Sequence, residues 1–366
     1  MNNLDQTPNS CASCGVYDCF RNVEKKLATT NIGRTAFLVD QYWPEFDGYM
    51  QQVRQSGDWL LTPFNGGRFR KPQYAWNRQG YQRVSHLFWL TLWRAWQSRR
   101  LAHQGVVRQR HIIDFDEKMA IALGNQLNFM IEGLVVWQAF LLPLHRHGFL
   151  GGRHYDVFMH RLPYQVLQHK LDNTAKQFPQ SLTLNDFRLP AAVVQEEWKL
   201  LEQANRIITP HAYMAKLFPE KTILLKWHIP KSIKPAPSIA SPKVVFIGPT
   251  AGRRGAYVMR KFLDNYPISL TVLGRNVEQP NFWQGYKVTE ELWHPNWLAD
   301  VGLVISLAHI DHQPRRLLEA VAAGVSIIAR TESGLLQPIQ LTGTHPDEHK
   351  IQLGLEQIGA FSYDNQ

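Results

Sequence analysis

The sequence predicts an α/β protein of two domains, each organised on a parallel sheet. Three observations carry this. Strand-like apolar runs alternate with helical stretches over most of the 366 residues, and such alternation implies parallel strands joined by crossover helices. The stretch 229–243, IPKSIKPAPSIASPK, holds four Pro and three Ser, a linker composition that divides the chain. The length suffices for two domains, and a hydrophobic content of 44% supplies their cores. The expected organisation is a leader at 1–30, a first domain at 31–230, a linker at 231–243, a second domain at 244–345 and a C-terminal segment at 346–366. A helix at 349–358 in that last segment is expected to cross back to the first domain.

In the first domain, TAFLVD at 35–40 is the first convincing strand. YWPEFDGY at 42–49 reads as an aromatic, acidic loop. A second strand spans 58–64, and Asn65-Gly66-Gly67 is a strong turn signal. A helix follows at 86–101, HLFWLTLWRAWQSRRL, with Leu87, Leu90, Trp93 and Trp96 near helical spacing and Arg94, Arg99 and Arg100 toward its end. Such a helix either packs on its own domain's core or lies on an anionic membrane surface, aromatics at headgroup level. HIIDFD at 111–116 reads as a strand and 117–148 as mostly helical. YDVFMH at 155–160 is a short strand ending in His160. SLTLNDFRLP at 181–190 reads as a further strand, 196–204 as a helix, and RIITP at 206–210 and residues 222–227 as strands.

The second domain opens with VVFIG at 244–248, then Pro249-Thr250-Ala251-Gly252-Arg253-Arg254-Gly255, then a helix at 256–265. Strand, Gly-rich loop and helix together form a phosphate cradle in principle. Strands at 269–274 and 301–307 flank a short helix at 293–299. The stretch HIDHQPRRLLEAVAAGVSIIA, 309–329, is the most informative. Pro314 suits a helix start, Leu317, Leu318, Val321 and Ala322 recur at helical spacing, Gly324 supplies a left-handed stop, and 325–329 reads as a buried strand. Asp311 therefore lies in the loop before a short helix, and Glu319 in its second turn. The helix start, with Arg315 and Arg316 beside it, favours an anionic ligand. TESGLL, after Arg330, is a loop near the same site.

The sequence Asp311, seven residues, then Glu319-Ala320-Val321-Ala322-Ala323-Gly324 and an apolar strand resembles the donor site of GT-B glycosyltransferases, especially the retaining group with a Glu-x7-Glu motif. Residues 155–228 add to the resemblance: the strand ending at His160 is similar to the family's strand before its cleft histidine, and Asn185-Asp186 occupies the place of a His-Asp pair. The resemblance implies a GT-B fold, two Rossmann-like domains facing a central cleft. It implies transfer of a sugar from a nucleotide-diphosphate donor to an acceptor hydroxyl, on a glycan, lipid-linked or polysaccharide acceptor. By the same resemblance Glu319 holds the ribose, and Asp311 and His160 lie near the donor sugar as catalytic residues. Arg253, Arg254 and Gly255 meet the diphosphate. Gly248, Arg275 and Arg315 complete the donor-binding set. No cofactor and no catalytic metal are expected.

The net charge of +10 implies attraction to something anionic. A nucleic-acid-modifying transferase is the less favoured alternative, since no nucleic-acid-binding motif appears, and no nucleic-acid partner is expected. A non-catalytic sugar-binding or partner subunit of the same fold is the principal alternative to an enzyme. No apolar run is long enough to span a bilayer, and no signal peptide is visible, so the expected location is cytoplasmic, either free or peripheral to the inner face of the membrane. Cys11, Cys14 and Cys19 form a C-x2-C-x4-C cluster. It reads either as a metal site completed by a fourth ligand or as reduced thiols in a leader.

Overall fold

The structure, a computed structural model, describes residues 33–100, 105–231, 243–335 and 340–341. The cysteine cluster, most of the linker and the C-terminal segment lie outside the described residues. The chain forms two compact units. The first comprises residues up to Arg161 with Pro190–Thr209 and Phe218–Leu225; the second comprises Leu162–Leu189, Pro210–Leu217 and the chain from Lys226 onward. The α/β architecture of two Rossmann-like sheets, the pair that the GT-B resemblance implies, is present.

The first unit is built on a seven-stranded sheet of order β3-β2-β1-β4-β5-β6-β7. Its strands are β1 (Arg34–Leu38), β2 (Trp59–Thr62), β3 (Arg83–His86), β4 (Ile131–Trp137), β5 (His154–Phe158), β6 (Ile207–Thr209) and β7 (Thr222–Leu224). Every pairing is parallel. Because both faces of such a sheet are covered, its central strands are near-continuously apolar; β4, IEGLVVW, buries all but Glu132. The connecting helices are α1 (Pro44–Val53), α2 (Phe88–Arg100), α3 (Gly105–Gly124) and α4 (Gln138–Arg146), with α6 (Ala191–Gln203) between β5 and β6.

The second unit carries a six-stranded sheet of order β10-β9-β8-β11-β12-β13, again all parallel. Its strands are β8 (Lys243–Ile247), β9 (Leu270–Leu273), β10 (Val288–Glu291), β11 (Val301–Ser306), β12 (Ser326–Arg330) and β13 (Gln340–Leu341). Alternate residues of β8 point to opposite faces. Val244 and Phe246 join Phe262, Phe282 and helix α8 (Ala256–Asn265) in one core. Val245 and Ile247 join Trp297, Leu317 and Leu318 in the other, under helix α9 (Arg315–Ala322). Burying each large side chain contributes roughly 1.5–3 kcal/mol. Helix α5 (Tyr164–Gln177) and the short α7 (Ala212–Ala215) belong to this unit although they precede the Pro-rich stretch.

Several expectations from the sequence are corrected. Residues 111–116 are helical, inside α3; Phe115, Met119, Ala120 and Leu123 are all buried, a spacing that suits a helix face and not a strand. Residues 44–49 begin helix α1, with Pro44 at the start and Phe46, Tyr49 and Met50 buried on one face. Residues 131–137, expected to be helical, are the β-branched strand β4. Residues 181–190 form no strand, only a 3-10 turn at Thr183–Asn185: the Ser181 and Thr183 hydroxyls bond the Glu278 carboxylate, a side-chain alternative to a sheet ladder. In place of the helix expected at 293–299 there are successive turns over 295–300, with Trp297 N–H donating to His294 O and Ala299 N–H to Asn296 O.

Candidate functional site

In both sheets the strand order reverses direction beside the first strand, between β1 and β4 and between β8 and β11. Ligands of open parallel sheets bind beyond the strand carboxyl ends at such switch points. In the second unit those ends carry the loops 248–255 and 307–314.

The two loops are built against each other. Gly255 has φ +83°, and a Cβ there would stand 2.3 Å from the Leu307 carbonyl oxygen. Only glycine tolerates both the left-handed backbone and that approach. The His309 N–H donates to the Arg253 carbonyl at 3.0 Å. Across from them, a Cβ on Gly248 would meet Leu273 O at 2.9 Å, and one on Gly274, at φ +145°, would meet Pro249 Cα at 2.8 Å. Three strand ends thus meet backbone to backbone.

Charged side chains line this meeting point. Arg254 Nη1 lies 2.9 Å from Asp311 Oδ1, and Asp311 is only 4% exposed. The Asp311 carbonyl is 2.8 Å from His211 Nε2. Since His211 Nδ1 accepts from the Met214 N–H, Nε2 carries the proton and donates. Burial holds the His211 pKa below its usual value, so the ring is neutral. Arg253 Nη1 pairs with Asp186 Oδ2 at 2.8 Å, and its guanidinium lies over the Phe187 ring. Burial lowers the Arg253 pKa and raises that of Asp186. Glu278, which the sequence does not single out, is the buried hub beneath: it accepts from Ser181 Oγ at 2.9 Å, Leu182 N–H at 3.0 Å, the Gly252 N–H and Tyr257 Oη at 3.3 Å.

Glu319 occupies the second turn of α9 as expected, 22% exposed at its side chain. Its carboxylate already accepts from Arg316 Nη1 at 2.6 Å and from Trp297 Nε1 at 2.8 Å. Arg316 stacks over Trp293 at 4.0 Å, and Trp293 is half exposed. An ionised carboxylate with two oxygens retains acceptor capacity beyond these bonds. Arg315 lies over the Trp227 ring at 5.4 Å, and Arg275 is exposed at the end of β9. The second unit therefore brings Gly248, Arg253, Arg254, Gly255 and Asp311 together, with Arg275 at the adjacent strand end and Arg315 and Glu319 on the following helix.

His160 lies in the first unit, just beyond β5. Its ring stacks on Trp137 at 4.2 Å and meets the edge of Trp43 at 6.5 Å. Burial, with Arg161 adding, holds its pKa well below the usual value, so it is a neutral imidazole at pH 7. Beyond β1 of the same sheet stands a cluster that sequence reading missed. Arg94 on α2 grips Asp40 through both oxygens, at 2.9 and 2.6 Å, and lies 3.8 Å from Asp116 on α3. Burial pushes the Asp116 carboxyl up to about 7, with the charge of Asp40 adding. Its unfolded value is near 3.9, so the folded state binds this proton more tightly. The associated stability is full below about pH 4 and is lost as pH rises toward 7. Asp116→Asn should therefore raise the melting temperature at pH 8, by roughly 2–4 °C per kcal/mol relieved, with the gain vanishing near pH 4. Thermal melts from pH 4 to 8 check this; a pH-independent difference would contradict it.

Among the described residues no three His, Cys, Asp or Glu side chains cluster at metal-binding distance.

No protein-family model matches the chain, and no curated protein matches it. Solved structures of glycosyltransferases do. Alr3699/HepE of Anabaena, in complex with UDP and glucose, is 11% identical over 91% of this chain and 90% of that one, with a TM-score of 0.49. UGT89C1 of Arabidopsis thaliana, complexed with UDP, is 9% identical over 88% and 90%, with a TM-score of 0.47. CalG4, the calicheamicin glycosyltransferase, is 12% identical over 90% of each chain, with a TM-score of 0.39. The α/β class of this chain is defined by its own strand order.

Proposed function

We propose that this chain is a glycosyltransferase that moves a sugar from a nucleotide-diphosphate sugar to an acceptor hydroxyl on a glycan or lipid-linked molecule. The observation that supports this best is the Arg254–Asp311 pair, set between the Gly-rich loop after β8 and the loop after β11 at the switch point of the second sheet. In the reaction the bond between the anomeric carbon and the diphosphate breaks, the bond to the acceptor oxygen forms, and the acceptor's proton passes to a base. The diphosphate leaves with growing negative charge, which fixed cations stabilise. Arg253 and Arg254 supply that charge without a divalent ion. Each already faces a carboxylate, so the donor takes up Arg254 in competition with Asp311. Asp311 then faces the donor sugar, His160 remains a neutral imidazole whose burial opposes protonation, and the acceptor's proton passes to the departing diphosphate oxygen. The Glu-x7-Glu likeness favours retention of anomeric configuration.

In this reading Glu319 accepts hydrogen bonds from the ribose hydroxyls, strengthened by its charge. Glu319→Gln keeps the size and loses the charge, and should weaken donor binding by roughly 1–3 kcal/mol with the fold intact. A 2′,3′-dideoxy nucleotide should bind the wild type poorly and lose little more on mutation. The double cycle reports coupling between residue and ribose; additive losses would remove Glu319 from the site. Its bonds to Arg316 and Trp297 make a uniform loss from a disturbed helix the competing outcome.

Helix α2 supports an acceptor presented at an anionic membrane surface. Trp89, Trp93 and Trp96 are 80%, 45% and 52% exposed, and Arg99 and Arg100 close the helix. Among the described residues no helix is long and apolar enough to cross a membrane. The full chain should float with phosphatidylserine vesicles and not with neutral ones, and Trp89→Ser with Trp96→Ser should abolish flotation. Equal absence from both vesicle types would contradict surface binding.

The same geometry also serves a subunit that binds a nucleotide sugar without turning it over, since both loop arginines are engaged by carboxylates. Release of nucleoside diphosphate from a bound donor distinguishes an enzyme from such a subunit.

A further inference from the structure

The second unit also holds a cavity of about 220 Å³. Helix α5 forms one wall, and the residues following β11 and ending β12 form the other. A water molecule occupies about 30 Å³ of liquid, so the space holds a sugar-sized group and not merely a solvent bridge.

The wall is rich in donors and cations. Arg330, the last residue of β12, lines the cavity while only 1% exposed. Its Nη1 lies 2.7 Å from His309 Nδ1. A guanidinium only donates, so Nδ1 is the acceptor and Nε2 carries the proton of a neutral ring. Lys170 reaches in from α5, over the Tyr213 ring at 4.4 Å and 2.9 Å from Glu332 Oε1. Asn173 and the exposed His169 extend the polar wall along the same helix. Among the lining side chains there are two permanent cations, Lys170 and Arg330, against one carboxylate, Glu332, so apart from its imidazoles the wall carries one net positive charge. Burial lowers the Arg330 pKa; an anion beside it would offset the lost hydration, which is worth more in a low-dielectric interior than at a surface.

The cavity is continuous in sequence with the candidate site. His309, through its N–H on the Arg253 carbonyl, is two residues from Asp311. We infer that this cavity receives the acidic group of a monosaccharide unit, a uronate carboxylate or a sugar phosphate, held by Lys170 and Arg330. The identity of the bearer, donor sugar or acceptor, rests on the transferase reading; the preference for an acidic sugar does not.

The test uses the full chain and calorimetry with methyl β-glucuronide, glucose 6-phosphate and methyl β-glucoside. At least one acidic sugar should bind about tenfold or more tighter than the neutral glucoside, the effect of one hydrogen bond to an ionised group. Lys170→Gln, at a partly exposed position, should remove most of that preference; Arg330→Lys, which keeps the charge but not the fork, should reduce it. Two further arms identify the bearer. If the donor carries the acid, UDP-glucuronate should bind more tightly than UDP-glucose and displace the acidic monosaccharide. If the acceptor carries it, the two nucleotide sugars should bind alike and the acidic monosaccharide should still bind to protein saturated with UDP-glucose. Equal binding of acidic and neutral monosaccharides, or a preference that survives Lys170→Gln, would overturn the inference. Failure of every nucleotide to bind, with the monosaccharide preference intact, would instead count against the transferase reading alone.

Discussion

Gly255→Ala should lower the melting temperature and abolish nucleoside diphosphate binding, the largest effect expected of any single substitution in the candidate site. Two costs combine. A left-handed backbone costs a residue with a Cβ about 1–2 kcal/mol. The new Cβ would also lie 2.3 Å from the Leu307 carbonyl oxygen, and neither atom belongs to a flexible side chain. The loops after β8 and β11 must then separate, taking Arg254 away from Asp311. Gly324→Ala supplies the control. Its φ is +72°, yet a Cβ there meets nothing within 4 Å, so only the backbone cost applies. Thermal melts and calorimetry on both variants check this. Equal destabilisation, with binding retained in Gly255→Ala, would show that close approach of the two loops is not what forms the site.

Arg254→Ala should weaken a nucleoside diphosphate and its sugar derivative alike, by roughly 1.5–3 kcal/mol for a hydrogen bond to a charged group, about tenfold to hundredfold. Binding of the nucleoside alone should hardly change, because it carries no phosphate. The substitution also strands the buried Asp311 carboxylate, and removing one partner of such a pair costs stability. The melting temperature should therefore fall as well. Arg254→Ala with Asp311→Asn should recover much of that stability without recovering diphosphate affinity. Unchanged diphosphate affinity in the single variant would place the phosphates elsewhere.

These expectations differ in how far they were legible in the chain itself. Helix α8 falls at 256–265, where the sequence places it, because Gly255 starts it and its apolar face repeats at helical spacing. Gly324 ends α9 in the left-handed conformation its position predicts. The strands with continuous apolar runs, β1, β8 and β11, are close to their expected limits for the same reason. β4 was concealed because its apolar run leads directly into the apolar helix α4 with no turn residue between them. β10, VTEE, lies at the sheet's edge with its residues partly or fully exposed and carries no apolar signal.

The site divides along the same line. Gly255, Arg254, Asp311 and Glu319 sit in local patterns that announce a strand end or a helix start. Glu278 does not: it stands in a polar loop, and its partner Ser181 is 97 residues away. The Arg94 grip on Asp40 spans 54 residues, and the raised Asp116 pKa arises from burial that no window of sequence reports. Pairings of that kind exist only once the sheet has brought its strand ends together.

Hydrogen exchange on the full chain, with and without saturating UDP, GDP, ADP and dTDP, tests directly whether these loops hold a nucleoside diphosphate. At least one of these should slow exchange at 248–256 and 307–319, the loops beyond β8 and β11 with the start of α9, and Arg254→Ala should remove the effect. Binding of none of the four, or protection confined to segments outside those loops, would contradict it.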